Sequence, residues 1–537
     1  MAALHKPALG EARMPVPSSV QAAPSSARTR LPWRSLFAPN TDLSEWDEKL
    51  NRWAVVLIGA GLFWRLLRYL LCMPVWGDEA FIALNLMERD FSTILQPLDY
   101  MQVAPALFLL SELAVQKTLG ASEYALRLLP LLAGLGSVFL FWRWCRLLLS
   151  GSAVTFALGF FVLGYYPVRH AVEIKPYAYD QLAATGLLFL ATAWLLQPQR
   201  TRYGWFLAAA LPLALAGSYP SVFLAGGVLL AATMTVGTRR ERPATAIWLA
   251  CGLLTAATFL LVYQKVGNAQ YHSTGTPMQL YWKDSFPPSA VPALLRWLVN
   301  IHTGNLFAYP VGGKNGGSTL TFLLFLIGAC GFIRRSPRPI QLLLFAPFAL
   351  TFIAAILHRY PYGGSARIAQ HLAPVICLLA AWGLQMVFER TIRTERRRQI
   401  TTLVTLVVLL LVAVIGMIRD VQKPYKSVND QQVRQIVRTL PGPTRAIVVA
   451  QPVHAVPVNQ QYYLRRLEPA LQWNGANDPA WTTGSSQELL LLNFDSRLDV
   501  KSGAVLNHWT LQEETVHRIQ IAPEEVPYWQ VTRWTRR

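Results

Sequence analysis

Long apolar runs recur along most of this 537-residue chain, and they restrict its fold more than any other feature. A helical run of about 20 apolar residues crosses the hydrocarbon core of a bilayer. With 53% hydrophobic and 15% charged residues, the composition agrees with a membrane protein rather than a soluble enzyme. The sequence therefore predicts an all-α polytopic membrane protein. We expect about eleven spans, at 53–73, 125–145, 152–168, 177–197, 203–217, 220–237, 244–264, 317–333, 339–357, 370–388 and 400–418.

Basic residues gather in every second loop between these runs, and this alternation predicts the orientation. Lys and Arg concentrate in the cytoplasmic loops of membrane proteins. The net charge of +20 is explained in this way without a nucleic-acid partner. We expect a multi-pass protein of the plasma (inner) membrane with a cytoplasmic N-terminus and an extracytoplasmic C-terminal region. The alternation requires that 104–119 does not cross, so 105–120 is predicted as an amphipathic helix on the outer surface.

Three regions differ in composition. Residues 1–50 are rich in Pro, Ala and Ser and are expected to form a disordered cytoplasmic tail without the apolar core of a signal peptide. Residues 51–419 form the membrane domain, with outer loops at 74–124, 167–176, 265–316 and 358–369. Residues 420–537 are more polar and are predicted to form a small extracytoplasmic α/β domain. Its expected elements are a helix at 429–440 and strands at 446–450, 489–494, 516–521 and 528–534.

Neither the cysteines nor the C-terminal region indicates a catalytic or metal-binding site. The five cysteines lie in or beside apolar runs, so we interpret them as small apolar residues without a disulfide framework or a zinc site. The C-terminal region has no phosphate loop, no Gly-x-Ser-x-Gly and no metal-binding His pair.

Two carboxylates follow the first apolar run, in the stretch Gly77-Asp78-Glu79-Ala80. Acidic residues at the end of a membrane span are energetically unfavourable and commonly have a function. Consecutive residues cannot share one helix face, so one carboxylate can accept a proton while the other binds a cation or orients its neighbour. The alternative is a helix N-cap before Phe81 to Leu95. Capping and catalysis are compatible, and both interpretations stay open.

Two further outer loops carry candidate anion-binding residues. Lys175 precedes Pro176 at the start of a predicted span, where a cation opposes the helix dipole unless an anion binds there too. Snorkelling of the lysine to the interface is the alternative. In the stretch 358–367, Arg359 and Arg367 frame two glycines, and arginine matches the oxygens of a phosphate. A tight turn with surface charge is the alternative there.

Three stretches together resemble one known family. They are Gly77-Asp78-Glu79-Ala80, then Gln102-Val103-Ala104-Pro105-Ala106-Leu107 with Leu119 to Pro130, and then Glu173-Ile174-Lys175-Pro176-Tyr177. The chain resembles GT-C glycosyltransferases related to protein O-mannosyltransferases (the family 39 type). Within these it resembles the bacterial branch of lipid A aminoarabinose and lipopolysaccharide galacturonosyl transferases. Tyr360-Pro361-Tyr362-Gly363-Gly364 is similar to a late stretch of the same family.

The resemblance implies a helical bundle with catalytic outer loops, and a sugar donor on a polyprenyl monophosphate at the outer leaflet. It implies that Asp78 is the base. Many relatives have His-Pro-Pro where this chain has Val103-Ala104-Pro105, so the role of that His does not transfer and Gln102 is expected to act differently. Relatives use a metal inconsistently, so no metal ligand is assigned, although a divalent metal is compatible with the family.

The residue chemistry agrees with this reaction class. We predict Asp78 and Glu79 as catalytic residues, with general-base help worth about 10²–10⁴-fold, and an inverting transfer to a hydroxyl of a glycan, lipid or protein. The expected substrate- and phosphate-binding residues are Lys175, Arg359, Arg367, Gln102, Glu173, Tyr177 and His170. No nucleotide fingerprint is present, as expected if no sugar nucleotide is used. A transporter of lipid-linked sugars and a non-enzymatic envelope-assembly protein are the alternatives.

Overall fold

The computed structural model describes residues 44–239, 241–312 and 316–423, and parts of the region that follows. Most of the predicted tail at 1–50 and most of the predicted helix at 429–440 lie outside the described residues. Residues 45–50 already belong to a helix. In the C-terminal region the structure describes 431, 434, 435, 437, 438, 446–449, 456, 458–466, 471–473, 488–493, 509–518 and 528–536.

The described residues up to 423 form sixteen α-helices joined mostly by short turns. They are α1 Glu45–Leu70, α2 Gly77–Glu88, α3 Ala106–Leu119, α4 Glu123–Leu148, α5 Ser152–Val162, α6 Tyr165–His170, α7 Tyr177–Leu196, α8 Thr201–Gly217, α9 Ser221–Arg239, α10 Arg242–Val262, α11 Asn268–Tyr281, α12 Val291–His302, α13 Gly317–Arg335, α14 Arg338–Ile356, α15 Ala373–Thr391 and α16 Glu395–Gln422.

Nine helices within the described ranges are long and apolar enough to cross a membrane. They are α1, α4, α7, α9, the continuous helix from Arg242 to Thr274, α13, α14, α15 and α16. This confirms the predicted polytopic helical fold. The other two predicted spans correspond to shorter helices, since α5 has 11 residues and α8 has 17.

Helix α5 stops part-way through the predicted span 152–168. Pro167 has no N–H to donate to the carbonyl of Leu163, so a regular helix cannot continue through this point. The chain turns at Gly164 and starts α6 at Tyr165. The carbonyl of Val162, left open at the end of α5, accepts a hydrogen bond from Arg65 Nη1 at 2.7 Å. The break therefore gives a structural role to Arg65, one of the two arginines of the first predicted span.

Two segments that the sequence predicts to lie on the outer side have helical structure. Helix α3 has 14 residues and is not among the long apolar helices of the described chain, which agrees with the expectation that 104–119 does not cross. The predicted outer loop 265–316 contains helices that the sequence analysis did not anticipate. Helix α10 continues through the π-helical turn Tyr263–Gly267 into α11, and α12 follows.

Helices α13 and α15 cross at two glycines. A Cβ on Gly328 would lie 1.9 Å from the carbonyl oxygen of Leu379, and a Cβ on Gly383 would lie 1.9 Å from that of Leu324. Small residues at such crossings allow helix backbones to approach closely in membranes. The loop that precedes α15, one of the two crossing helices, contributes to the site described below.

The described C-terminal residues include a five-stranded sheet and the helix Val458–Arg465. Residues 431, 434, 435, 437 and 438, within the predicted helix at 429–440, are also helical. The strand order is β2-β1-β3-β5-β4; β1 pairs in parallel with β2 and β3, and β5 pairs antiparallel with β3 and β4. The predicted strands 446–450, 489–494 and 528–534 correspond to β1, β3 and β5. The prediction 516–521 overlaps β4 only at 516–518, because β4 already begins at Trp509 and 519–521 lie outside the described residues. Strand β2 and helix α17 were not predicted. The elements are β1 Ala446–Val449, α17 Val458–Arg465, β2 Leu471–Trp473, β3 Glu488–Asn493, β4 Trp509–Arg518 and β5 Tyr528–Arg536.

The second arginine of the first span forms a buried ion pair. Arg68 of α1 donates through Nη1 to Asp420 of α16, and their side chains are 6% and 3% exposed. Breaking a buried pair leaves one charge unpaired, which typically costs about 3–5 kcal/mol. The pair therefore joins the first and last helices of the bundle.

We expect Arg68→Met to lower the free energy of unfolding by about 3–5 kcal/mol, because Asp420 is left charged and buried. The double variant Arg68→Met/Asp420→Leu is expected to recover most of this loss. Thermal unfolding in detergent measures both. The matched control is Lys49→Met in the exposed pair Lys49–Glu45, which should cost at most about 0.5 kcal/mol. Equal losses in the single and double variants would contradict the prediction.

Candidate active site

Two charged side chains from distant parts of the chain pair at one end of the helical bundle. Asp78, in the first turn of α2, accepts a hydrogen bond from Arg367 Nη1, although 289 positions separate them. Arg367 Nη2 donates to the Tyr281 hydroxyl at 2.9 Å, and its guanidinium carbon lies 4.8 Å from the ring centroid of Trp282. The side chain of Asp78 is 25% exposed. Solvent or a substrate can therefore reach it.

A second cation lies beside this pair. Lys175 Nζ donates to Gln102 Oε1 at 2.6 Å. Burial lowers the pKa of Lys175 to about 8; the Asp78 carboxylate opposes this shift and Arg367 adds to it. Tyr177, the first residue of α7, faces Arg367. We call Asp78, Gln102, Lys175, Tyr177 and Arg367 the site cluster.

The site cluster has an excess of positive charge. Burial opposes the charge on Arg367, but Tyr177, Asp78 and Tyr281 around it raise its pKa above the ordinary arginine value. Below about pH 8 the cluster holds two cations, Lys175 and Arg367, against one carboxylate. Such a group can bind an anion next to an exposed carboxylate.

Glu79 differs sharply from its neighbour Asp78. It is 1% exposed, and its two carboxylate oxygens accept from Arg127 Nε at 2.8 Å and Nη2 at 2.6 Å. The amide of Ile174 donates to the same carboxylate at 2.9 Å. Glu79 also accepts from the amide of Trp76, the N-cap of α2, at 3.4 Å. The predicted capping role therefore falls to Glu79, which leaves Asp78 without that function.

The loop before α7 holds a second buried charge group. Glu173 accepts from Arg169 Nε at 2.6 Å and lies 2.7 Å from His170 Nδ1. Although burial opposes it, Arg169 and His170 lower the pKa of Glu173. Burial lowers the pKa of His170, with Glu173 opposing. The His170 ring lies 4.9 Å from that of Tyr177, so this group packs behind the site cluster.

The two arginines of the stretch 358–367 differ in whether they enter the site cluster. Gly363 and Gly364 adopt φ of 67° and 73°, and a Cβ on Gly364 would lie 2.1 Å from Ser285 Oγ. The glycines thus bring this backbone against the protein itself. Arg367 follows and enters the site cluster, whereas Arg359 is exposed, with its guanidinium carbon 4.8 Å from the ring centroid of Tyr271. Among the contacts of the described residues, none joins Arg359 to the site cluster.

Comparison with known proteins bears on the fold. No protein-family model matches the sequence, and no curated protein matches it. ArnT from Cupriavidus metallidurans bound to undecaprenyl phosphate matches with a TM-score of 0.52 at 14% identity, over 89% of this chain and 98% of ArnT. Its apo state matches with a TM-score of 0.50 at 13% identity, over 90% of this chain and 98% of ArnT. This chain has the fold of ArnT, in agreement with the GT-C fold that the sequence resemblance implies.

A more distant match is to the oligosaccharyltransferase of Archaeoglobus fulgidus in complex with Zn and sulfate. Its TM-score is 0.44 at 12% identity, over 82% of this chain and 67% of that protein.

Within the GT-C fold, sequence reasoning missed two residues of this region. Arg127 binds Glu79 and also donates to the carbonyl of Pro74 at 3.3 Å. Its signal was a charged residue inside the predicted span 125–145, which usually marks a buried partner. Tyr281 binds Arg367, but a tyrosine in an aromatic-rich loop has no distinguishing sequence signal.

The site cluster of this GT-C fold does not fit a metal cation. No group of three or more His, Cys, Asp or Glu side chains suited to a metal occurs in the part of the chain that the structure describes. Asp78 faces two cations, and the oxygens of Glu79 are bonded to Arg127 and Ile174. We therefore assign no residue to the divalent metal that the family resemblance allows.

The different environments of the two acids predict different effects on stability. We expect Glu79→Gln to lower the free energy of unfolding by about 3–5 kcal/mol, because it leaves Arg127 charged and buried. Asp78→Asn, the matched control, should cost at most about 1 kcal/mol, since that pair is partly exposed. Thermal unfolding of both variants in the same detergent provides the comparison. Similar losses for the two would rule out the distinction.

Proposed function

We propose that this protein is an integral membrane glycosyltransferase that moves a sugar from a polyprenyl-monophosphate donor to a hydroxyl acceptor at the outer face of the membrane. The observation that carries the proposal is the partly exposed carboxylate of Asp78 beside two cations, Lys175 and Arg367. ArnT, which shares the fold, binds undecaprenyl phosphate, a lipid phosphate of the kind that the proposal requires.

In the proposed reaction Asp78 is the general base. The acceptor hydroxyl oxygen attacks the anomeric carbon of the sugar while its proton passes to the Asp78 carboxylate. The bond between that carbon and the phosphate oxygen breaks, and the electron pair leaves with the phosphate. A single displacement inverts the configuration at the anomeric carbon. Asp78 suits this role because it is partly exposed, whereas both oxygens of Glu79 already accept hydrogen bonds.

Lys175 and Arg367 bind the phosphate in this proposal. A guanidinium has five N–H donors, so Arg367 can bind a phosphate oxygen while its contacts with Asp78 and Tyr281 persist. Electrostatic stabilisation of the leaving group replaces an acid, as preorganised charges commonly do in enzymes. Gln102 orients Lys175, and Tyr177 lines the same site.

The remaining predicted residues have supporting roles. Glu79 positions α2 through Arg127, and Glu173 with His170 packs behind Tyr177. We assign Arg359 no contact with the reacting groups. In this proposal residues 51–419 carry the transfer, 1–50 lie in the cytoplasm and 420–537 lie outside. A glycan, a lipid or a protein supplies the acceptor hydroxyl.

The transfer itself is testable with a panel of polyprenyl-phosphate sugars carrying a radiolabel. We expect the wild-type protein in lipid to transfer label from at least one donor, and Asp78→Asn to lose about 10²–10⁴-fold in rate while binding that donor normally. Asp99→Asn is the matched control, because Asp99 lies in the same outer segment but pairs with Arg89 and is 59% exposed.

Two results would contradict this prediction. Unchanged transfer by Asp78→Asn would remove Asp78 as the base. Donor binding without transfer by the wild type, with acceptors of all three kinds supplied, would favour a transporter of lipid-linked sugars.

Donor binding should also depend on pH through Lys175. A lysine is cationic below its pKa and neutral above it, so affinity should be full below about pH 7 and fall as pH rises through about 8. The donor is a phosphodiester and keeps one charge over this range. Lys175→Arg should remove the fall, and Lys175→Met should bind weakly at every pH. Equilibrium binding of a labelled donor between pH 6 and about 9.5 measures this. A flat wild-type profile would exclude Lys175 from the phosphate site.

A further inference from the structure

The segment that joins α1 to α2 has an irregular backbone whose polar groups are held by side chains. Cys72 adopts a φ of 46°, a left-handed conformation that a residue other than glycine seldom adopts. The carbonyls of Met73 and Pro74 both accept from Arg127 of α4. Asp78 follows within the first turn of α2, so the path of this segment determines where its carboxylate lies.

The C-terminal region supplies the other two contacts to this segment. The amide of Val75 donates to the hydroxyl of Tyr463 at 2.8 Å. Arg434 Nη1 donates to the carbonyl of Cys72. Val75 is fully buried and Tyr463 is 2% exposed, so water does not replace the tyrosine as the acceptor. A buried amide without an acceptor is unfavourable, so the hydrogen bond to the Tyr463 hydroxyl stabilises this conformation of the backbone.

Helix α17 is bound to the outer segments by several further contacts. The Tyr462 hydroxyl donates to the carbonyl of Ala121 at 2.7 Å. Arg465 pairs with Glu88 at the end of α2, at 2.9 Å. Arg466 pairs with Glu123 at the start of α4, at 2.6 Å. Tyr462, Tyr463 and Leu464 share one apolar cluster with residues of α2 and α3. The helix therefore packs firmly against the elements that present Asp78.

We propose that Tyr463 and Arg434 are positioning residues for Asp78, so that the C-terminal region completes the active site of the membrane domain. This inference rests on the proposed function, in which Asp78 is the base. Neither residue touches the reacting groups. They fix the backbone from Cys72 to Val75, and α2 starts two residues after Val75.

Positioning of this kind affects the chemical step more than donor binding. A displacement of about 1 Å in a reacting group can cost roughly 10²-fold in rate. The phosphate site uses Lys175 and Arg367, which belong to other segments. Loss of the Tyr463 hydroxyl should therefore lower kcat and leave the KM for the donor nearly unchanged.

The test compares two adjacent tyrosines of the full-length protein in lipid. Tyr463→Phe removes the acceptor for Val75 and keeps the ring. Tyr462→Phe is the matched control, because Tyr462 is also a buried tyrosine but its hydroxyl binds the carbonyl of Ala121 instead. We expect Tyr463→Phe to lower kcat about 10- to 100-fold at constant donor KM, and Tyr462→Phe to change it less than about threefold. Arg434→Gln should follow Tyr463→Phe in direction.

Hydrogen exchange measured by mass spectrometry gives a readout that does not depend on activity. Peptides covering 72–80 should exchange faster in Tyr463→Phe than in the wild type or in Tyr462→Phe, with no change in peptides of α13 and α15. Normal exchange and normal kcat in Tyr463→Phe would overturn the inference, as would equal effects of the two variants.

The two proposals fail in different ways. If the wild type transfers no sugar, the proposed function fails, yet faster exchange at 72–80 would still support the positioning of this segment by Tyr463. If the wild type transfers sugar and Tyr463→Phe matches it in kcat and exchange, only the positioning role is lost.

Discussion

The buried ion pair between Glu79 and Arg127 sets the geometry around the site cluster. Moving two charges out of water costs several kcal/mol per ion, and the attraction offsets this only when the remaining polar atoms are hydrogen-bonded. Here they are: Glu79 also accepts from the amides of Ile174 and Trp76, and Arg127 also donates to the carbonyls of Met73 and Pro74. One pair thus joins α2, α4 and the loop before α7. Since successive residues of a helix point about 100° apart, fixing Glu79 inward turns Asp78 away from the interior.

At several points of this fold, arginine side chains donate hydrogen bonds to backbone carbonyls in irregular segments. A buried carbonyl cannot reach water, so it must find a hydrogen-bond partner within the protein. Arg65 binds the carbonyl of Val162 where α5 breaks, and Arg127 binds two carbonyls between α1 and α2. Arg434 binds a third in the same segment. Arginine suits this task because it carries five donors on one planar group. Several arginines in or near the apolar runs are therefore structural.

The sequence predicted what depends on local pattern and missed what depends on long-range partners. Apolar runs identified the helical bundle, and short strand-like stretches identified four of the five described strands. The three-residue strand Leu471–Trp473 carries too little pattern to detect. The acidic pair at 78 and 79 was found, but its division into one exposed and one buried carboxylate depends on Arg127, whose side chain reaches it only in the folded bundle. The pairing of Asp78 with Arg367 spans 289 positions, and no sequence periodicity records such a contact.

The charges of the site cluster favour the later stages of the proposed transfer over its start. The phosphate of the donor is a diester with one negative charge. As the bond to the sugar breaks, the phosphate gains a second charge on the departing oxygen. Two fixed cations, Lys175 and Arg367, therefore attract the leaving group more strongly than the donor. An interaction that strengthens toward the transition state raises the rate, whereas one of constant strength only tightens binding. Burial lowers the pKa of Lys175 to about 8, so a second negative charge on the phosphate would further stabilise its cationic form. In the proposed transfer, the residues that bind the lipid phosphate are thus the same residues that lower the barrier to its departure.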